Sequence, residues 1–189
     1  DYHFTILLGN PEKPMLQLNK GYSGDGGIPG YLMLSLLPND YTLPRVQAAL
    51  AHECNHNVRF QFVKWNQQTT LADWVVSEGL AESFAAELYG KDLIGPWVTS
   101  TSPEQLEEIK PIISSQLQLT GMAEMAPYLY GDEIAKIQGQ IPVGMPYAAG
   151  YAYGYHLIQA YLKKTGKNII EATVTPTKQI LEATKDFWK

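Results

Sequence analysis

Residues 45–63 read RVQAALAHECNHNVRFQFV, with Pro44 immediately before them and Thr42 close by. The stretch holds no proline or glycine, and proline is favoured at the first position of a helix but excluded from its interior. A helix running from Arg45 to about Val63, capped by Thr42, is therefore predicted. Within it, His52-Glu53-Cys54-Asn55-His56 fits the pattern His-Glu-x-x-His. Side chains four residues apart stand one above the other on a helix, so His52 and His56 can converge on one ion. Glu53 projects beside that face, where it reaches water on the metal without becoming a ligand.

A catalytic zinc takes three protein ligands and keeps one position open. The third is expected from the next helix, predicted over Leu71–Tyr89 and closed by Gly90 in the left-handed position that follows many helices. Glu78 lies 22 positions after His56, and an antiparallel helix pair joined by a short loop returns it to the two histidines. Asp73 and His156 are weaker alternatives. Glu82, one turn after Glu78, is placed to accept the second ring N–H of a ligand histidine. Trp74, Val75, Val76, Leu80, Phe84 and Ala85 surround the two glutamates with apolar groups, which argues against a solvated face. Gly79 and Ala81 are small enough for another helix to approach. Water on such a zinc has a pKa near 7, and Glu53 can take its proton as it attacks a carbonyl. Imidazole and carboxylate ligands suit zinc, although manganese, cobalt or nickel accept the same donors.

Hydrolysis also needs a donor for the oxyanion. The run from Tyr147 to His156 (YAAGYAYGYH) supplies candidates on a helix predicted over Ala148–Lys164 and ended by Gly166. Tyr151 ranks first, ahead of Tyr147, Tyr155 and His156. Gly150 and Gly154, four apart, allow close packing against another helix.

Upstream of the histidines the chain reads as β. Tyr2–Leu8 ends at Gly9-Asn10-Pro11, and Tyr31–Leu37 follows the glycine-rich stretch 21–30. The second run is the expected sheet edge against which an extended peptide lies. Downstream, Ser102-Pro103-Glu104-Gln105 forms a capping box for a helix presenting Leu106, Ile109 and Ile113, with a kink expected at Pro111. Residues 121–147, rich in glycine and proline, give no clear pattern, and a last helix is expected from Pro176 with Thr175 as cap. The fold class is α+β: a small N-terminal β-sheet followed by a mostly helical body.

The chain of 189 residues suits one domain, expected to span 1–189 without linker or internal repeat. A formal charge of −5 with only 14 Lys and Arg argues against nucleic-acid binding. No apolar run approaches the roughly 20 residues that span a bilayer, and no signal-peptide pattern opens the chain. Because Asp1 leads straight into a strand-like run, upstream sequence is expected to be missing. The one cysteine, Cys54, excludes an intrachain disulfide, fits a reducing, cytoplasmic compartment, and reads as an inert small hydrophobe. His3 is expected to have no role.

Three segments together carry a resemblance: Ala51-His52-Glu53-Cys54-Asn55-His56-Asn57-Val58-Arg59, Ser77-Glu78-Gly79-Leu80-Ala81-Glu82, and Gly150-Tyr151-Ala152-Tyr153-Gly154-Tyr155. In order and spacing they resemble the bacterial DUF2268 (YjaZ-like) family of predicted zinc-dependent proteases, and more widely the gluzincins. The resemblance implies a zincin-like metallopeptidase architecture, zinc as cofactor, Glu78 as third ligand, Glu82 supporting a histidine, and a peptide or unfolded protein as substrate. Two other functions fit the same residues: a zinc-containing, stress-related regulatory or interaction module without turnover, and a metal-dependent hydrolase of a non-peptide amide. Glu53 argues against the first, since a structural site needs no base.

Overall fold

A computed structural model describes residues 2–188. The sheet has three strands in the order β1-β3-β2. β1 (His3–Leu8) runs parallel to β3 (Tyr31–Leu36), with His3 opposite Tyr31 and Leu8 opposite Leu36, while β2 (Tyr22–Asp25) is antiparallel to β3. Two findings depart from the expectation. The glycine-rich stretch contributes a strand, and the Tyr31 run is central, so it cannot receive a peptide at its edge. The free edge on the helical side belongs to β2. Its short Tyr-Ser-Gly-Asp sequence carries little strand propensity, which hides it from pattern reading. Along β3, Leu32, Leu34 and Leu36 are buried while Tyr31 and Met33 are exposed, the alternation of a strand with one packed face.

The metal-motif helix, α2, spans Val46–Arg59 and α3 spans Leu71–Tyr89. Thr42 does not cap α2. Its hydroxyl donates to the Leu37 carbonyl at 2.7 Å and accepts from the Asn39 N–H, closing the loop after β3 instead, and Leu43–Arg45 form a 3₁₀ turn before the helix. α2 also stops before Val63. α3 opens with a capping box between Thr70 and Asp73, and Gly90 ends it with φ 95° and ψ 154°, outside the left-handed helical basin.

Apolar residues surround α3 almost completely, the mark of a central helix. It lies between α2 and α8 (Ala149–Thr165). A Cβ on Gly79 would collide with the Gly154 carbonyl, and one on Gly154 with the Val75 carbonyl, so backbone meets backbone at the α3–α8 crossing. Gly150 serves likewise against α6 (Met122–Tyr130), which together with α7 (Asp132–Ile137) occupies the unread stretch. α5 (Pro103–Ser114) has the expected Ser102–Gln105 capping box, runs on through Pro111 and buries Leu106, Ile109 and Ile113. These join Leu71, Val75, Leu80, Leu129, Leu157 and Ile158 in the main core.

The C-terminal part comprises α9 (Ile169–Thr173), α10 (Thr177–Ala183) and α11 (Lys185–Trp188). Pro176, rather than Thr175, stands at the cap of α10. Arg59, the last residue of α2, is fully buried and ties this region down. Its guanidinium donates to Ser77 Oγ (3.1 Å), the Thr173 and Thr175 carbonyls (2.8 and 3.1 Å) and Thr177 Oγ1 (3.0 Å). The remaining short helices are α1 (Pro14–Leu18) and α4 (Pro96–Thr99). No helix among the described residues is long and apolar enough to cross a membrane.

Candidate active site

His52 and His56, a turn apart on α2, both turn Nε2 toward α3, and these nitrogens lie 3.1 Å apart. Glu78 Oε2 stands 3.3 Å from each of them. All three side chains are buried, and among the described residues they form the one group of three or more His, Cys, Asp or Glu able to share an ion. The donor set fits zinc. A tetrahedron with arms of 2.0–2.1 Å has edges of about 3.3–3.4 Å, close to the three separations seen here. The set is also unsatisfying without a cation, because it crowds two ring nitrogens and a carboxylate oxygen into one buried point.

Other groups hold these side chains in place. Glu82 accepts from His52 Nδ1–H at 2.8 Å, from Trp97 Nε1–H at 2.8 Å and from the Gly95 N–H at 2.6 Å. The first bond keeps a proton on Nδ1, so that once Nε2 is free of its proton its lone pair faces the cluster. Trp74 Nε1–H donates to Glu78 Oε1 at 3.2 Å, so only Oε2 faces the histidines. The sequence reading took Trp74 as an apolar neighbour only; its place one turn before Glu78 was the available signal. His56 is less well held. Its Nδ1 has no hydrogen-bond partner among the described residues, and its ring stacks on Phe60 with centroids 5.6 Å apart.

The electrostatics follow from this crowding. Burial works against a charged His52, yet hydrogen bonds to Glu78 and Glu82 and the nearby Glu53 charge outweigh it and raise its pKa well above the usual value. Burial would raise Glu78, but the His56 charge and hydrogen bonds from both histidines pull it down to about 2. Burial raises Glu53, opposed by the His52 and His56 charges and assisted by Glu78 and Asp25.

Glu53 lines the same cleft, a cavity of about 430 Å³. The residue is 7% exposed, and among the described residues no hydrogen bond reaches its carboxylate. Its side chain packs on Gly24 of β2, where a Cβ would strike the carboxylate, and its carbonyl meets Gly26 in the same way. Asn57, on the following turn of α2, holds that loop: Nδ2 donates to the carbonyls of Gly26, Ile28 and Tyr31, and Oδ1 accepts from the Gly30 N–H. Sequence reading missed this clamp.

Of the tyrosine candidates, Tyr151 lines the cleft. Its pKa is pushed well above the usual value by burial first, then by Glu78, Tyr130 and Glu53, so it stays a proton donor. Tyr147 also lines the cleft, but its hydroxyl donates to Asn19 Oδ1. Tyr155 is buried with Tyr22 and Trp97, and neither it nor His156 lines the cleft. Asp73 is engaged in the α3 capping box. Tyr130 was not foreseen. It reaches the cleft from α6, interacts with Tyr151 and is raised to about 12 by burial and by Glu78.

Over residues 1–182 the sequence matches the model of the family described as "Predicted Zn-dependent protease (DUF2268)". The chain belongs to this family. The uncharacterized protein YjfC of Bacillus subtilis (strain 168) is 42% identical over 179 residues, covering 94% of this chain and 59% of YjfC. The uncharacterized protein YjaZ of the same organism is 26% identical over 155 residues, covering 80% of this chain and 55% of YjaZ. This DUF2268 chain thus spans less than two thirds of the length of both relatives. No solved structure matches it at a significant level. A description as zinc-dependent and a buried His-His-Glu cluster able to hold a metal agree with each other.

Proposed function

We propose that residues 1–189 act as one zincin-like metallopeptidase domain that hydrolyses peptide bonds, with His52, His56 and Glu78 holding zinc. In this reading Glu53 is the general base and Tyr151 the oxyanion donor. The observation that carries it is the unengaged Glu53 carboxylate in the same cleft as the His-His-Glu cluster. A structural site has no use for a buried carboxylate kept free of partners, whereas a base requires one.

Zinc in this site would polarise the substrate carbonyl and acidify a water molecule. Glu53, its affinity for protons raised by burial, takes the proton from the attacking water and delivers it to the leaving amine. Tyr151, held protonated, donates to the carbonyl oxygen as charge develops there. The outer edge of β2 is unpaired in the sheet, and Ser23, Gly24 and Asp25 line the cleft, so an extended peptide can add to β2 beside Glu53. Glu82, outside the cleft lining, orients His52, and the Trp74 indole N–H orients Glu78.

A cytoplasmic location belongs to this reading and is tested by fractionation of the native cells. The activity is tested with a peptide library, comparing the zinc-loaded protein with Glu53→Gln. Cleavage by the first and a loss of about 10²–10⁴-fold in the second, at equal zinc content, is the expected result. Equal rates for the two would remove Glu53 from the chemistry, and zinc binding without cleavage of any peptide would favour a module without turnover.

A further inference from the structure

The cleft has two walls of different character. On the side of His56 an aromatic series runs ring to ring: Phe60 stacks on His56, Trp65 meets Phe60 at 5.6 Å, Trp74 meets Trp65 at 5.5 Å and Tyr130 meets Trp74 at 5.7 Å. All four rings line the cleft. Trp65 comes from the connector between α2 and α3 and is 38% exposed, so a large apolar surface faces solvent beside the metal cluster. Trp74 uses its indole N–H on Glu78, which leaves its ring for apolar contact. Among the described residues no Lys or Arg lines the cleft; its charged lining consists of Asp25, Glu53 and Glu78 with the two histidines.

We infer that Phe60, Trp65, Trp74 and Tyr130 form a subsite for an aromatic side chain of a peptide bound across an internal bond. The inference rests on the peptidase reading and names its substrate class. A flat ring offered to this wall gains edge and face contacts with several aromatic partners and buries the exposed face of Trp65. Away from the metal cluster, a terminal carboxylate or an acidic side chain would find no Lys or Arg among the described lining residues and would face Asp25 and Glu53. Peptides engaged in mid-chain avoid that cost.

The test separates binding from turnover. Acetyl-Ala-Ala-Phe-Ala-Ala-amide is titrated into the zinc-loaded Glu53→Gln variant beside peptides with Ala or Asp in the middle and beside the free-acid form of the Phe peptide. The Phe peptide is expected to bind at least about tenfold more tightly than the Ala peptide, and the Asp peptide and the free acid more weakly than their counterparts. Adding Trp65→Ala should reduce the Phe preference to below about threefold, while Phe62→Ala, an exposed ring on the same connector outside the cleft, should leave it intact. Absence of binding, equal binding of the Phe and Ala peptides, or a preference that survives Trp65→Ala would overturn the subsite. Tighter binding of the free acid would overturn engagement in mid-chain. If selective binding holds but the unaltered protein cleaves none of these peptides, the subsite stands and the hydrolytic reading fails.

Discussion

Single side chains divide the work of this site, and each division can be checked. Glu82 satisfies His52, Trp97 and Gly95 at once, so Glu82→Ala should weaken zinc affinity about 10–100-fold, measured by competition with a chelator. An unchanged affinity would mean that the His52–Glu82 bond does not tune the ligand. Gly24 tests the proposed base role of Glu53 from outside that residue. A methyl at this position must push the Glu53 carboxylate aside, so Gly24→Ala should lower turnover while zinc content stays at the wild-type level. Loss of zinc in that variant would show that β2 supports the cluster rather than the base. His56, whose Nδ1 finds no partner among the described residues, is the more weakly oriented of the two histidines.

Between elements, the decisive feature is the backbone contact of α3 with α8. In Gly154→Ala the new methyl would meet the Val75 carbonyl and the Gly79 nitrogen, neither of which can rotate away. A destabilisation of about 2 kcal/mol or more is expected in urea unfolding. Gly166→Ala has open space around it and pays only for its φ of 68°, about 1 kcal/mol. The reverse order would contradict the packing. This scale also shows what the sequence made legible. His52, His56, Glu78 and Glu82 could be aligned because two helices with helical periodicity and definite ends fix which residues share a face. Gly154 was readable as a small residue for close packing, though its partner Gly79 was placed by the structure. β2 and α6 were not legible, since a four-residue strand with a glycine and a helix containing Pro127 violate the local preferences on which reading depends. Tyr130 was missed with its helix. The Arg59 and Asn57 clamps were missed because most of their partners are backbone groups far along the chain, and backbone groups leave no trace in sequence.

For the whole molecule, the buried cluster links metal, protons and stability. When no metal is bound, His52 has a pKa above its ordinary 6.5, so its contribution to stability is complete below 6.5 and is lost as pH rises through the elevated value. Glu53, raised from 4.5, acts in the same direction, since the folded chain holds its proton more strongly than the unfolded one. Glu78 is lowered from 4.5 to about 2, so its contribution is present above 4.5 and lost as pH falls toward 2. Chelated protein should therefore lose thermal stability as pH rises above 6.5. Zinc needs the histidines free of protons, so the gain in Tm on loading should widen over the same range. A gap that stays constant or narrows would contradict the coupling. Elemental analysis of purified wild type, His56→Ala and Glu78→Ala is the most direct test of the proposal that His52, His56 and Glu78 hold zinc. About one zinc per chain is expected in wild type, with a clear loss in both variants. Wild type that takes up no zinc even after incubation with it, or variants that remain fully loaded, would contradict it.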